Sequence, residues 1–373
     1  MATILGTFGD DTLAANAAGD LVQGRAGNDL ITTDFNDTAL EGGNGTDVLI
    51  ATNDIDVSAP GTDLTVAQSI DGGNDDDTIT FDSTVDLAAG SDDSEGIVVS
   101  FASGGYGRDT ITVDTVVTSA SDSTAVAGTV VESGANTDEI DLDLQASSVG
   151  DSAAFAFVES GSGADIITVN ASATSTTAES SAVLLAVDAG GGNDSLTAFL
   201  TGHQVEAGAF GGFGNDELTI NISGDGDGSV ASAFVSGGGG NDTITVGFGA
   251  GVDGAAEIYG EGGTDWIAVT GGSGSTLAGG TGSDFLTGSA ADDVFLFGDE
   301  TTDAAVHRDE ITNYSKAAGD VIALAGGEDG VASWSIIAGS TRLFLEGDGD
   351  LIILRNVIIS SLSDIQFEDI LVL

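Results

Sequence analysis

The sequence predicts an all-β fold, a right-handed parallel β-solenoid of the β-roll kind with a small C-terminal β cap, and three observations predict it. A glycine-rich segment ending in an aspartate and an aliphatic residue recurs along almost the whole chain. Runs of β-branched residues alternating with polar ones flank most copies. Glycine occurs 58 times in 373 residues and proline once, so turns are many and strands uninterrupted. Period-two alternation bounded by glycine turns argues for strands over helices, and a self-similar period argues for stacked rungs.

The spacing divides the chain. An apolar residue recurs every nine positions at Leu13, Val22, Ile31, Leu40 and Leu49, the period of a tight roll with a turn and a short strand on each side of every rung. Residues 1–56 are read as this nonapeptide roll. From Asp47 the recurring aspartates are 19 to 32 residues apart up to Asp284, then nine at Asp293. Residues 57–297 are therefore read as longer rungs, each with one glycine turn. The unit is plain where Ile97–Phe101 enters, GGYGRD turns the chain, and Thr110–Val113 leaves. Inward positions are predicted at Ile79 and Phe81, Ile111 and Val113, Ile167 and Val169, Leu218 and Ile220, and Ile244 and Val246. Thr80, Thr112, Thr168, Thr219 and Thr245 should face out.

Charge sets the second constraint. There are 61 acidic against six basic side chains, a formal net charge of −55. Self-repulsion on that scale opposes compaction, yet 41% of residues are hydrophobic, unlike a disordered acidic tail. Both facts hold if cations neutralise the carboxylates around an apolar core. So little positive charge excludes a nucleic-acid partner and an anionic membrane surface. The absence of cysteine excludes disulfides, thiolate metal sites and cysteine nucleophiles. No run reaches transmembrane-helix length, and Met1–Gly6 has no signal-peptide character.

Five segments fit the pattern G-G-x-G-x-D-x-U, with U a large apolar residue: GGNGTDVL at Gly42, GGYGRDTI at Gly104, GGFGNDEL at Gly211, GGGGNDTI at Gly237 and GGTGSDFL at Gly279. Weaker copies start at Gly6, Gly24, Gly72, Ser133, Ser160, Ala189, Gly260 and Gly288, with the aspartate in register. This array resembles the RTX, or haemolysin-type calcium-binding repeat, family across nearly the whole chain. The resemblance implies multiple Ca²⁺ ions as cofactors, held in the glycine-rich turns. The chemistry agrees, since calcium takes about six to eight oxygen ligands and glycines allow the positive φ that brings backbone carbonyls to one point. The candidate ligands are Asp11, Asp29, Asp47, Asp77, Asp109, Asp138, Asp165, Asp194, Asp216, Asp242, Asp265 and Asp284. Gly42, Gly45, Gly104, Gly107, Gly211, Gly214, Gly237, Gly240, Gly279 and Gly282 shape the turns and offer carbonyls. Metal-free glycine–aspartate turns are the simpler reading, but turn chemistry alone does not demand aspartate at one constant place. The degenerate copies at 133–140 and 288–295 are the candidates for empty turns. With one motif per long rung the ions should form one column along one edge, with a two-sided arrangement only in residues 1–56. Binding and folding should then be coupled.

Residues 298–373 are read as a C-terminal cap. Asp309–Tyr314 and Gly319–Leu324 resemble the segment that closes many RTX solenoids, and Arg342–Leu345 with Leu351–Leu354 should form a hairpin across the turn at Gly347. The final Phe367–Leu373 resembles the uncleaved signal of type I exported RTX proteins, which implies the type I secretion machinery as a partner; a simple capping strand is the alternative. No H-E-x-x-H or G-x-S-x-G is present, and His203 and His307 are expected in surface or loop positions, so no enzyme is predicted. The acidic turn Gly224–Gly228 reads as a solvated loop or an extra calcium site. Two functional classes stay open. One is a secreted structural subunit that self-assembles as a homo-oligomer or polymer, similar to RTX-containing bacterial surface-layer or extracellular matrix proteins. The other is an extracellular adhesin or module binding a cell-surface glycan or ice through its regular face.

Overall fold

The computed structural model describes residues 2–57, 63–87, 95–120, 123–176, 180–298, 307–324, 327–346 and 350–369. The chain forms two compact units, Met1–Glu206 with Ser223–Ser229, and Ala207–Ile222 with Val230–Leu373. Among the described residues there is no α-helix, and no helix long and apolar enough to cross a membrane. Each unit is a parallel β-solenoid.

In the first unit successive strands go alternately to two parallel sheets. Thr3–Leu5, Leu21–Ala26, Ala39–Asn44, Leu64–Asn74, Glu95–Tyr106, Thr124–Ala135, Ser152–Glu159 and Ser181–Asp188 follow one another in the first. Thr12–Ala14, Leu30–Thr33, Val48–Val57, Thr78–Leu87, Thr110–Ser119, Glu139–Ser148, Ile166–Ser175 and Ser195–Gly202 follow in the second. The nine-residue sequence period thus alternates between sheets: Ile4 pairs with Val22 and Val22 with Leu40, while Leu13 pairs with Ile31 and Ile31 with Leu49. Two nonapeptides make one turn of the solenoid. In the longer rungs a whole turn separates one motif from the next, as Ile79 against Ile111 shows.

The core is the row of aliphatic side chains between the sheets. All ten predicted inward residues are at most 1% exposed, and the five threonines beside them are half-exposed on the outer face. Burial of a side chain of this size contributes about 1.5–3 kcal/mol. Polar residues interrupt the row: Asn53, Ser83 and Thr115 stack in register and are buried, and Ser100 Oγ donates to Thr129 Oγ1 at 2.8 Å.

The second unit repeats the scheme. Val230–Gly239, Asp253–Gly263, Thr276–Gly282, Val294–Phe297, Val321–Leu324 and Phe367–Asp369 stack in parallel in one sheet. Glu217–Gly224, Thr243–Phe248, Trp266–Thr270, Phe285–Thr287, Arg308–Thr312 and Leu351–Leu354 stack in the other. Ser340–Leu345 then runs antiparallel to Leu351–Leu354, as predicted for the hairpin, and Val331–Ile337 adds a further antiparallel strand. The predicted turn residues 347–349 lie outside the described residues, as do the terminal aliphatics Ile370–Leu373. Arg308 and Arg355 both pair with the buried Glu310.

Candidate metal centre

Each glycine turn hands the chain from the first sheet to the second, so parallel stacking places the motif aspartates above one another. In the first unit Asp11, Asp29, Asp47, Asp77, Asp109, Asp138, Asp165 and Asp194 form a column. The backbone N–H of each donates to Oδ1 of the next at 2.7–2.8 Å. In the second unit Asp216, Asp242, Asp265, Asp284 and Asp309 do the same at 2.8–2.9 Å. All twelve predicted aspartates lie in these columns. Asp309, which the motif search missed, extends the second; its local sequence lacks the glycines, and only its register against Asp284 reveals it.

One carboxylate oxygen is thereby used and the other is left over. Oδ2 of Asp29, Asp47, Asp77, Asp109, Asp242, Asp265 and Asp284 is buried and has no hydrogen-bond partner. A charged oxygen in that state is costly unless a cation or proton meets it. The first motif glycine explains its setting. A Cβ on Gly104 would lie 2.5 Å from Asp109 Oδ2 and 2.7 Å from the Ser133 carbonyl oxygen, and one on Gly42 2.4 Å from Asp47 Oδ2 and 2.5 Å from the Gly72 carbonyl oxygen. Glycine keeps open a small space where a carboxylate and a carbonyl from the following rung converge. Gly211, Gly237 and Gly279 stand in the same relation to Asp216, Asp242 and Asp284. Where the first residue is Ser133 or Ser160, its hydroxyl donates to the carbonyl of the following rung instead.

The second and fourth motif residues are left-handed throughout these turns. Gly43, Gly105, Gly212, Gly238 and Gly280 have φ of 92° to 111°, and Gly45, Gly107, Gly214, Gly240 and Gly282 have φ of 118° to 144°. Arg25, Glu261, Asp75 and Asn136 accept positive φ without being glycine, a strained choice that a turn geometry must impose.

Burial and like-charged neighbours push these carboxyls upward. Burial raises Asp77 to about 8, with Asp109, Asp47 and Asp75 adding to it. Asp138 and Asp265 rise to about 7, and Asp47, Asp109, Asp242 and Asp284 to about 6, again chiefly by burial. Asp309 rises to about 7 for the same reason. A bound cation reverses this pressure by favouring the ionised form. The donor set is all oxygen, hard and partly anionic, which suits calcium. Among the described residues no three His, Cys, Asp or Glu side chains cluster as a metal site, so backbone carbonyls must complete any coordination. The residues present fit calcium on these terms, with the column aspartates and turn carbonyls as holders.

Four other aspartates have a different fate. Oδ2 of Asp11 accepts the Thr7 N–H at 2.5 Å, and that of Asp20 the Asn16 and Ala17 N–H at 3.3 and 3.1 Å. Oδ2 of Asp293 accepts the Ser289 N–H at 2.6 Å, and that of Asp320 the Ser315 N–H at 2.7 Å. Asp20, Asp293 and Asp320 lie on the edge opposite the columns of their units, where the chain returns from the second sheet to the first. Aspartates on this edge recur well beyond residues 1–56.

The histidines lie in loops, one of the two settings expected for them, and both are buried rather than at the surface. His203 and His307 are 8% and 6% exposed, and His307 accepts the Gly282 N–H at Nδ1 and donates its backbone N–H to Asp350 Oδ1. His203 Nδ1 faces Asp225 Oδ1 at 3.6 Å, and Ser181 Oγ bonds to the same carboxylate. Asp225 of the Gly224–Gly228 turn is therefore engaged by side chains rather than purely solvated.

The family pattern described as the RTX calcium-binding nonapeptide repeat matches four copies, at residues 3–38, 234–253 and 270–300. No curated protein matches the chain. The matched segments include column turns and also the turns of Asp11, Asp20 and Asp293.

Proposed function

We propose that this chain, an RTX-repeat protein whose repeats bind calcium, is a secreted structural protein that folds and self-assembles outside the cell in response to calcium. It serves as a surface-layer, matrix or filament subunit, leaves through type I export, and performs no catalysis. The observation that carries this reading is the column of buried aspartates, in which Asp29, Asp47, Asp77, Asp109, Asp242, Asp265 and Asp284 carry an unpartnered Oδ2, at Asp29, Asp47, Asp77, Asp109 and Asp265 beside a glycine and a turn carbonyl. Without cations the column stacks like charges and opposes the fold; with them it becomes the axis on which the rungs close. Low calcium inside a cell and high calcium outside then separate an expanded chain from a folded one. Electron microscopy of the purified protein in millimolar calcium, beside a chelated control, tests the assembly. Sheets or filaments confined to the calcium sample support the subunit; single compact particles in calcium reject it.

One observation favours a second reading, a glycan-binding adhesin. On the outer face of the second unit Phe210, Phe234 and Tyr259 form a row with ring centroids 5.6 Å apart, and Phe210 and Phe234 are exposed. Exposed aromatic rows mark binding surfaces. Neutral polysaccharide binding that Phe234→Ala abolishes, in protein that stays monomeric, would establish it.

A further inference from the structure

The repeats contain two kinds of aspartate turn, and the difference lies in the backbone of a single residue. In column turns the residue four before the aspartate is left-handed: Arg25 before Asp29, Gly43 before Asp47, Gly238 before Asp242, Glu261 before Asp265. There no hydrogen bond reaches Oδ2. In the turns of Asp11, Asp20 and Asp293 the same position is Thr7, Asn16 or Ser289, none of them left-handed. Its N–H points into the carboxylate and bonds to Oδ2. In the Asp320 turn Ser315, five residues back, does the same.

An N–H aimed at Oδ2 and a cation bound to Oδ2 compete for the same lone pairs, and the N–H places a positive hydrogen where the ion would sit. We infer that the turns of Asp11, Asp20, Asp293 and Asp320 are metal-free clasps, closed by the chain's own amides, and that calcium is confined to the column turns in which the residue four before the aspartate is left-handed, from Asp29 onward in the first unit and from Asp216 to Asp284 in the second. The inference rests on the reading that column turns hold calcium, and it sharpens that reading by removing turns that the repeat pattern alone would count. It also gives each unit turns whose closure needs no calcium. The side chains agree: Thr7 Oγ1 adds a bond to Asp11 Oδ2 at 2.8 Å, and Ser289 Oγ one to Asp293 Oδ2 at 3.0 Å. A hydroxyl residue at the second motif position supplies both donors, whereas the left-handed Gly43 and Gly238 have no hydroxyl and their N–H does not reach Oδ2.

The test counts bound calcium per chain by equilibrium dialysis and elemental analysis, with circular dichroism as a check on folding. Asp242→Asn, Asp293→Asn and Asp11→Asn are compared with the unaltered chain. Asp242→Asn is expected to lose calcium or to need about tenfold more to fill its site, a difference of about 1.4 kcal/mol. Asp293→Asn and Asp11→Asn are expected to keep the full count. Loss of calcium from either, equal to that in Asp242→Asn, overturns the inference. Asp11 lies in a half-exposed turn, so its variant remains informative if Asp293→Asn fails to fold. If the unaltered chain itself binds no calcium, the reading of the column fails, and that result is distinct from the loss of a clasp.

Discussion

The turn before Asp109 and the turn before Asp11 lie on the same edge of the same unit, end in the same aspartate, and belong to the same ladder of backbone hydrogen bonds. Gly105 is left-handed, and the Asp109 carboxylate faces a glycine and a carbonyl. The Asp11 carboxylate also lies beside a glycine, Gly6, and the Gly24 carbonyl, but Thr7 is not left-handed and aims two hydrogen-bond donors at its Oδ2. The contrast teaches that register makes the column, while the local backbone decides whether a carboxylate in it is open to a cation.

The largest expected effect is removal of calcium. In excess chelator the turns of the Asp109 kind should come apart, with most β-sheet circular dichroism lost and the radius of gyration increased. Millimolar calcium should restore both. Native sheet signal persisting in chelator would show that clasps and core suffice without the ion.

A core truncation separates packing from ion binding. Phe81→Ala, at 0% exposure, should cost about 3–5 kcal/mol in denaturant unfolding with calcium saturating. Its calcium count, once folded, should be unchanged. A lower count would mean that the core sets the turn geometry.

Within the turns, the paired test is Gly104→Ala against Gly9→Ala. A Cβ at Gly104, the first motif position, meets Asp109 Oδ2 at 2.5 Å, as one at the equivalent Gly6 meets Asp11 Oδ2 at 2.9 Å, whereas one at Gly9, further along the Asp11 turn, meets nothing within 4 Å. Gly104→Ala should raise the calcium midpoint of folding by about tenfold, equivalent to about 1.4 kcal/mol, and Gly9→Ala should leave it in place. Equal effects would show that the space beside Asp109 Oδ2 does not set calcium affinity.

The smallest effect is on pH, measured in chelator under mild conditions that leave some structure. Asp77 sits near 8 when folded, raised first by burial, against an ordinary value of 3.8. A carboxyl raised on folding binds more protons in the folded state, so its contribution to stability declines as pH climbs from about 4 to about 8. The calcium-free chain should therefore gain structure as pH falls from 8 towards 5. Asp20 has the opposite sign: the Ala2 N–H first, then those of Asn16 and Ala17, hold its carboxyl low. Its contribution is present at neutral pH and is lost only as pH falls below the ordinary carboxylate range. With saturating calcium the gain on acidification should disappear, because the bound ion holds the column carboxyls ionised. A calcium-free chain that loses structure steadily from pH 8 to 5 would contradict the burial of the column.

Much of this was legible in the residues. Ile111 and Val113 share a face because strands alternate, and the step from Asp77 to Asp109 equals one rung because a parallel strand must return to its neighbour. What escaped had no local signature. Asp309 joins a column without a glycine motif, His203 and His307 are buried by turns distant in sequence, and Asn53, Ser83 and Thr115 occupy inward positions that periodicity would fill with aliphatics. Their places follow from which rung lies above and below.

By itself the sequence determined the all-β solenoid, the inward aliphatic rows, the recurring aspartates and their need for a cation, because each follows from period, composition and charge within a few residues. Only the tertiary structure decided which carboxylate oxygens are open and which are closed by an amide. That choice depends on the sign of one backbone torsion and on the rung stacked against it. Thr7 and Gly105 occupy the same place in the repeat, but φ and the direction of an N–H are settled by the folded turn and the neighbour it packs on.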